Sequence, residues 1–141
     1  MADLPSAVTD THALLFHAAG SRAFGPRAAR HFAACESQQA LICVPAAVIW
    51  ECTLLARAAR VNLRRFTRGF FDDLFSNPAY QPLDLNAEQI FIADETRINR
   101  DPFDALICAA ARTLDLPLLT RDVDTQVRGD HGRLVTGDWA G

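Results

Sequence analysis

Arg100-Asp101-Pro102-Phe103-Asp104-Ala105-Leu106-Ile107-Cys108-Ala109-Ala110-Ala111 is the stretch on which the reading of this chain turns. Pro102 suits the first position of a helix, where its missing N–H is not needed and its fixed φ is already helical. Asp101 before it is a good N-cap. Phe103, Leu106, Ile107, Ala110 and Leu114 then recur at spacings of three and four, so a helix over 102–114 turns one face to a core. Asp104 falls at the third helical position, in the first turn. Taken alone it is half of a capping box with Asp101, favoured by the positive helix end. The other acids of the chain give it a second reading.

The chain has 141 residues, 50% hydrophobic and 22% charged. That is enough for one compact domain over 1–141 that buries roughly two thirds of its unfolded surface without a metal or disulfide staple. Cys35, Cys43, Cys52 and Cys108 show no C-x-x-C spacing. Thiols in apolar runs act as small hydrophobes, which points to a reducing, cytoplasmic compartment. The first residues lack a basic flank followed by an apolar run, and no stretch reaches about 18 uninterrupted apolar residues, so neither an export signal nor a membrane partner is expected.

A net charge of −3 argues against binding nucleic acid by bulk charge. The distribution says more. All 14 basic residues are arginine, and Arg57, Arg60, Arg64, Arg65 and Arg68 fall in one short run. The run is either a solvated helix face or a patch facing phosphates, for which the guanidinium fork is suited. The absence of lysine excludes a P-loop and receiver-type phosphorylation modules with their usual lysine.

Along the chain, Ala7 to Thr9 reads as a short buried strand ending at Asp10, with a helix starting at Thr11. Gly20 to Gly25 is a loop, and Pro26 starts a second helix. Ala40 to Val44 is a second buried strand stopped by Pro45, followed by a helix from Ala46 to about Arg60 that carries Glu51 near its start. Leu63 to Phe75 is an amphipathic helix whose Phe66, Phe70, Phe71, Leu74 and Phe75 suit a core or a partner groove better than a base-stacking platform. Tyr80 to Leu85 is a third strand broken by Pro82, and Asn86 with Gln89 caps a helix that runs towards Arg97. Leu116 to Thr120 is a fourth strand, and Arg133 to Val135 a short fifth. This alternation predicts an α/β fold, a three-layer α/β/α sandwich with a mostly parallel central sheet, whose carboxyl strand ends share one ligand-binding side.

The acids follow that rule. Asp10 ends the first strand, Glu51 lies in the helix after the second, Asp104 opens the helix before the fourth, and Asp122 and Asp124 follow the fourth. Carboxylates sharing a small space repel unless a cation neutralises them. Oxygen donors without clustered His or Cys select a hard ion, Mg²⁺ or Mn²⁺. Such an ion suits phosphodiester hydrolysis, because it polarises phosphoryl oxygen and lowers the pKa of a bound water. Each acid also has an innocent reading as a cap, a surface group or a turn former. Their joint placement favours the site. His12 and His17, in an apolar helix, are read as packed rather than as ligands, and Asp101 as the cap alone.

Thr9-Asp10-Thr11-His12-Ala13-Leu14-Leu15, Val48-Ile49-Trp50-Glu51, Arg100-Asp101-Pro102-Phe103-Asp104 and Leu118-Leu119-Thr120-Arg121-Asp122, in this order and spacing, resemble the PIN domain. More narrowly, they look like the VapC-type ribonuclease toxins of bacterial toxin-antitoxin pairs, over nearly the whole chain. The resemblance implies RNA as substrate, cut with Mg²⁺ or Mn²⁺ held by Asp10, Asp104 and Asp122. Glu51 either ligates or orients water, and cleavage leaves 5′-phosphate and 3′-hydroxyl ends. It implies that Asp124, at a more variable position, helps through water, and that the Thr120 hydroxyl steadies the acid pocket. It also implies a homodimer and an inhibiting antitoxin laid across the groove. The arginines at 57, 60, 64, 65 and 68 then meet either RNA or that antitoxin. The sequence departs from the family at Val44-Pro45-Ala46-Ala47, which lacks the small hydroxyl residue often found before the glutamate. Two alternatives stand beside the toxin: a PIN nuclease of RNA maturation without an antitoxin, and a silent domain that binds RNA or protein.

Overall fold

The computed structural model describes residues 4–21, 25–58, 67–96 and 101–120. Among these residues, four strands and six helices follow in the order β1 (Ser6–Thr9), α1 (Thr11–Ala18), α2 (Pro26–Glu36), β2 (Leu41–Pro45), α3 (Ala46–Arg57), α4 (Thr67–Phe75), β3 (Tyr80–Leu83), α5 (Ala87–Thr96), α6 (Pro102–Leu114) and β4 (Leu118–Leu119). The strands form one sheet in the order β3-β2-β1-β4, and every pairing is parallel. The α/β/α class read from the sequence is the observed one.

The register places Val8 of β1 beside Cys43 of β2 and Leu118 of β4. β1 is therefore interior, and its Ala7, Val8 and Thr9 have no exposed surface, as expected of a parallel strand covered on both faces. The chain moves outward from β1 to β2 and β3, then returns across the sheet to lay β4 on the other side of β1. The reversal creates a switch point between β1 and β4 at their carboxyl ends, the usual place for a ligand crevice.

The core gathers Val8, Leu14, Phe32, Ile42, Val44, Val48, Ile107 and Leu118, all at most 1% exposed. Burying each such side chain contributes about 1.5–3 kcal/mol before chain entropy is subtracted. The phenylalanines of α4 belong to this core rather than to an open platform. Phe71 is buried, its ring centroid 5.0 Å from Phe70 edge-on and 5.8 Å from Phe75 in a stack, and Leu74 packs with them.

Three boundaries differ from expectation. β2 includes Pro45, which pairs with Leu83 instead of stopping the strand. Pro82 does not break β3, because β3 is an edge strand that needs donors on one side only; the strand ends at Leu83, short of Leu85. β4 is confined to Leu118–Leu119, with Leu116 and Pro117 leading into it from the αL residue Asp115 that closes α6. The expected helix end at residues 59–60, the helix start at 63–66 and the fifth strand at 133–135 lie outside the described residues, as does Phe66.

An acid pocket at the carboxyl end of the sheet

Of the expected acids, Asp10, Glu51 and Asp104 lie among the described residues, and each comes from a different element. Asp10 is the residue after β1. Its backbone N–H donates to Leu119 O at 3.0 Å, extending the β1–β4 pairing, and its side chain then caps α1. The Ala13 N–H donates to Asp10 Oδ1 at 2.8 Å, and the Thr120 hydroxyl donates to Asp10 Oδ2. Both partners are firmly placed, since Asp10 is 5% and Thr120 1% exposed. Thr120, expected from the family resemblance to steady the acid pocket, thus bonds to the Asp10 carboxylate.

Glu51 stands in the second turn of α3, which starts directly after β2. α3 opens on Pro45 with no side-chain cap, the local result of the missing hydroxyl at 44–47. The glutamate is held elsewhere: the Thr11 hydroxyl donates to Glu51 Oε1 at 2.5 Å. Its carboxyl is raised above the ordinary value, first by burial and then by the negative charge of Asp101, against which the Thr11 bond and the charge of His12 act. Glu51, Asp101 and His12 therefore share one electrostatic neighbourhood.

Asp104 arrives from the far direction. α6 leads into β4, so it must run back along the sheet before that strand begins, and its thirteen residues, about 20 Å of helix, place its first turn at the carboxyl end. Asp101 caps the helix as read, accepting from Phe103 N–H at 2.8 Å and Asp104 N–H at 3.4 Å. Its negative charge also bears on Glu51. Asp104 lies in the same first turn, half-buried.

The donors are hydroxyl and carboxylate oxygens, a set that suits a hard divalent cation and not zinc. Among the described residues, however, no group of three or more His, Cys, Asp or Glu could hold a metal ion. Asp122 and Asp124, the remaining members of the expected set, lie outside those residues, as do Arg60, Arg64 and Arg65. Arg57 at the end of α3 is exposed; Arg68 is exposed as well and pairs with Asp72 at 3.2 Å.

One contact of the pocket escaped the sequence reading, and one residue set aside there lies differently from expectation. Thr11 sits in the first quoted motif, but its contact spans 40 residues of chain and no periodicity signals it. His12 is exposed beside Glu51 rather than packed, whereas His17 is packed as expected: its ring stacks on Phe32 at 4.5 Å and bonds to Glu36 at 3.0 Å. The buried thiols offer no competing chemistry. Burial pushes Cys35 up to about 11 and Cys52 up to about 12, so both stay protonated at neutral pH.

Several solved structures share this architecture. VapBC2 from Rickettsia felis bound to a DNA fragment from its promoter superposes with a TM-score of 0.66 at 14% identity, covering 93% of this chain and 96% of that one. A toxin-antitoxin complex from Klebsiella pneumoniae gives 0.57 at 18% identity, covering 83% and 87%. FitAB bound to the IR36 DNA fragment gives 0.59 at 14% identity, covering 92% and 93%. No curated protein matches the sequence. At these identities the likeness is one of fold, and the family is settled by sequence instead: the PIN domain model matches residues 7–130, from the first strand to beyond the last described one, and the chain belongs to the PIN domain family.

Proposed function

We propose that residues 1–141 form a single PIN domain that hydrolyses RNA phosphodiester bonds with Mg²⁺ or Mn²⁺, as the cytoplasmic toxin of a toxin-antitoxin pair. One observation carries this reading. In a PIN family member, two of the matched acids, Asp10 and Glu51, converge on the carboxyl end of the sheet and are each held by a buried threonine hydroxyl. No helix among the described residues is long and apolar enough to cross a membrane.

In this reading Asp10, Asp104 and Asp122 hold the ion, Thr120 keeps Asp10 oriented, and Asp124 assists through water. Glu51 ligates directly or orients the attacking water. A bound divalent ion supplies Lewis-acid polarisation of the phosphoryl group and a more acidic water. Arg57, Arg60, Arg64, Arg65 and Arg68 meet flanking phosphates or the antitoxin. Resemblance in fold to toxin-antitoxin complexes supports an antitoxin as partner, and the family resemblance supports a homodimer.

Purified chain incubated with RNA tests the reading. Cleavage is expected in Mn²⁺ or Mg²⁺ and not in chelator, and Asp104→Asn is expected to lower it at least ~100-fold, beyond the loss typical of a residue that only supports a ligand. The variant is expected to keep its circular dichroism and its binding to the product of the adjacent antitoxin gene. Cleavage by Asp104→Asn at the parental rate removes Asp104 from the site. A parent chain that neither cleaves RNA nor gains thermal stability with Mn²⁺ is a silent domain, and the proposal fails.

A further inference from the structure

Thr11 occupies the first helical position of α1, where most side chains face water, yet it is 1% exposed. Its hydroxyl is spent on Glu51 Oε1, 40 residues away, at 2.5 Å. Among the described residues, no hydrogen bond or ion pair engages Oε2, the other oxygen of the same carboxylate. A glutamate has three side-chain torsions, and fixing one oxygen against a rigid donor removes most of that freedom and sets the direction of the second. α3 lacks a side-chain cap at Pro45, so the hydroxyl on α1 supplies an anchor between the two helices near this turn. Asp10 and Thr11 are consecutive. One bend of the chain therefore presents a carboxylate and fixes the orientation of another.

We propose that Thr11 is the positioning residue for Glu51, holding Oε1 so that Oε2 is aimed at the divalent cation or its water in the pocket. This rests on the nuclease reading, and the test separates the two. In metal-free buffer, Thr11→Val is expected to lower Tm in the parental background and to leave it unchanged in a Glu51→Ala background, because the bond has then already gone. With Mn²⁺ added, Thr11→Val is expected to raise the concentration giving half-maximal thermal stabilisation about tenfold, as loss of an outer hydrogen bond to a metal ligand does. Thr11→Ser, which keeps the hydroxyl and drops the methyl, is expected to restore the parental value.

Equal destabilisation by Thr11→Val in both backgrounds overturns the proposal, as does a Thr11→Ser chain that responds to Mn²⁺ as poorly as Thr11→Val, since the methyl would then be what matters. Parental Mn²⁺ response in Thr11→Val overturns it too while leaving the nuclease reading intact. A parent chain indifferent to Mn²⁺ brings down the nuclease reading and this proposal with it, even where the metal-free melts show that Thr11 holds Glu51.

Discussion

Glu51 shows how a single residue is kept at a cost to the fold. Its carboxyl binds a proton more tightly in the folded chain than in the unfolded one, because burial and the Asp101 charge both disfavour its ionised form. Below the ordinary glutamate value of 4.5 both states are protonated and Glu51 costs nothing. As pH rises through the raised folded value, the folded chain must ionise a disfavoured group and loses stability. Glu51→Gln carries no charge and can still accept from Thr11. In chelator it is expected to melt above the parent at neutral pH, with the gap closing as the pH is lowered below 4.5. Thermal melts across that range check this, and a parent that matches the variant at neutral pH removes the assigned repulsion.

At the scale of the element, α6 carries the heaviest demand, since its first turn must begin at the pocket and its last must hand the chain to β4. Asp101 secures the start with bonds to the N–H groups of Phe103 and Asp104. Asp101→Ala is expected to cost about 1 kcal/mol of stability, the usual loss of an N-cap. Asp101→Asn keeps an acceptor and is expected to retain most of it; equal losses in chemical denaturation would show that charge, not capping, is what Asp101 supplies. The start of this helix was legible because Asp-Pro before an apolar repeat has few other readings. Strand ends were less so. Whether Pro82 breaks β3 depends on which side of the strand is unpaired, a property of the sheet that the segment itself does not carry. The same holds for the pocket: that Asp10 ends a strand is local, but its pairing with Thr120 and the grip of Thr11 on Glu51 join segments that only the assembled sheet brings together.

Across the whole molecule, a second polar cluster ties α1 and α2 to the edge strand. Tyr80 donates to Glu36 Oε2 at 2.5 Å, His17 lies 3.0 Å from the same oxygen, and Asn77 donates to the carbonyls of Cys35 and Glu36 at 3.3 Å. Burial alone would raise the Glu36 carboxyl, but the bonds from Tyr80 and His17, with the His17 charge, carry it below its ordinary value. A lowered folded value means stability that is present above 4.5 and lost as pH falls through the folded value. Glu36→Gln is expected to melt below the parent at neutral pH and above, with the gap closing as pH falls through the folded value and the acid limb flattened accordingly. An unchanged acid limb would show that the cluster is ornamental to the fold.

The interior place of β1 has one more consequence. Residue 10 leaves the ribosome early, yet the hydroxyl that holds its carboxylate belongs to residue 120, and β4 can dock beside β1 only after that later segment has emerged. Translation delivers the chain from its amino end at about 5–20 residues per second. A nascent polypeptide therefore spends several seconds with Asp10 made and its hydroxyl partner still to come, so that carboxylate is oriented only after the roughly 110 residues between them have been added.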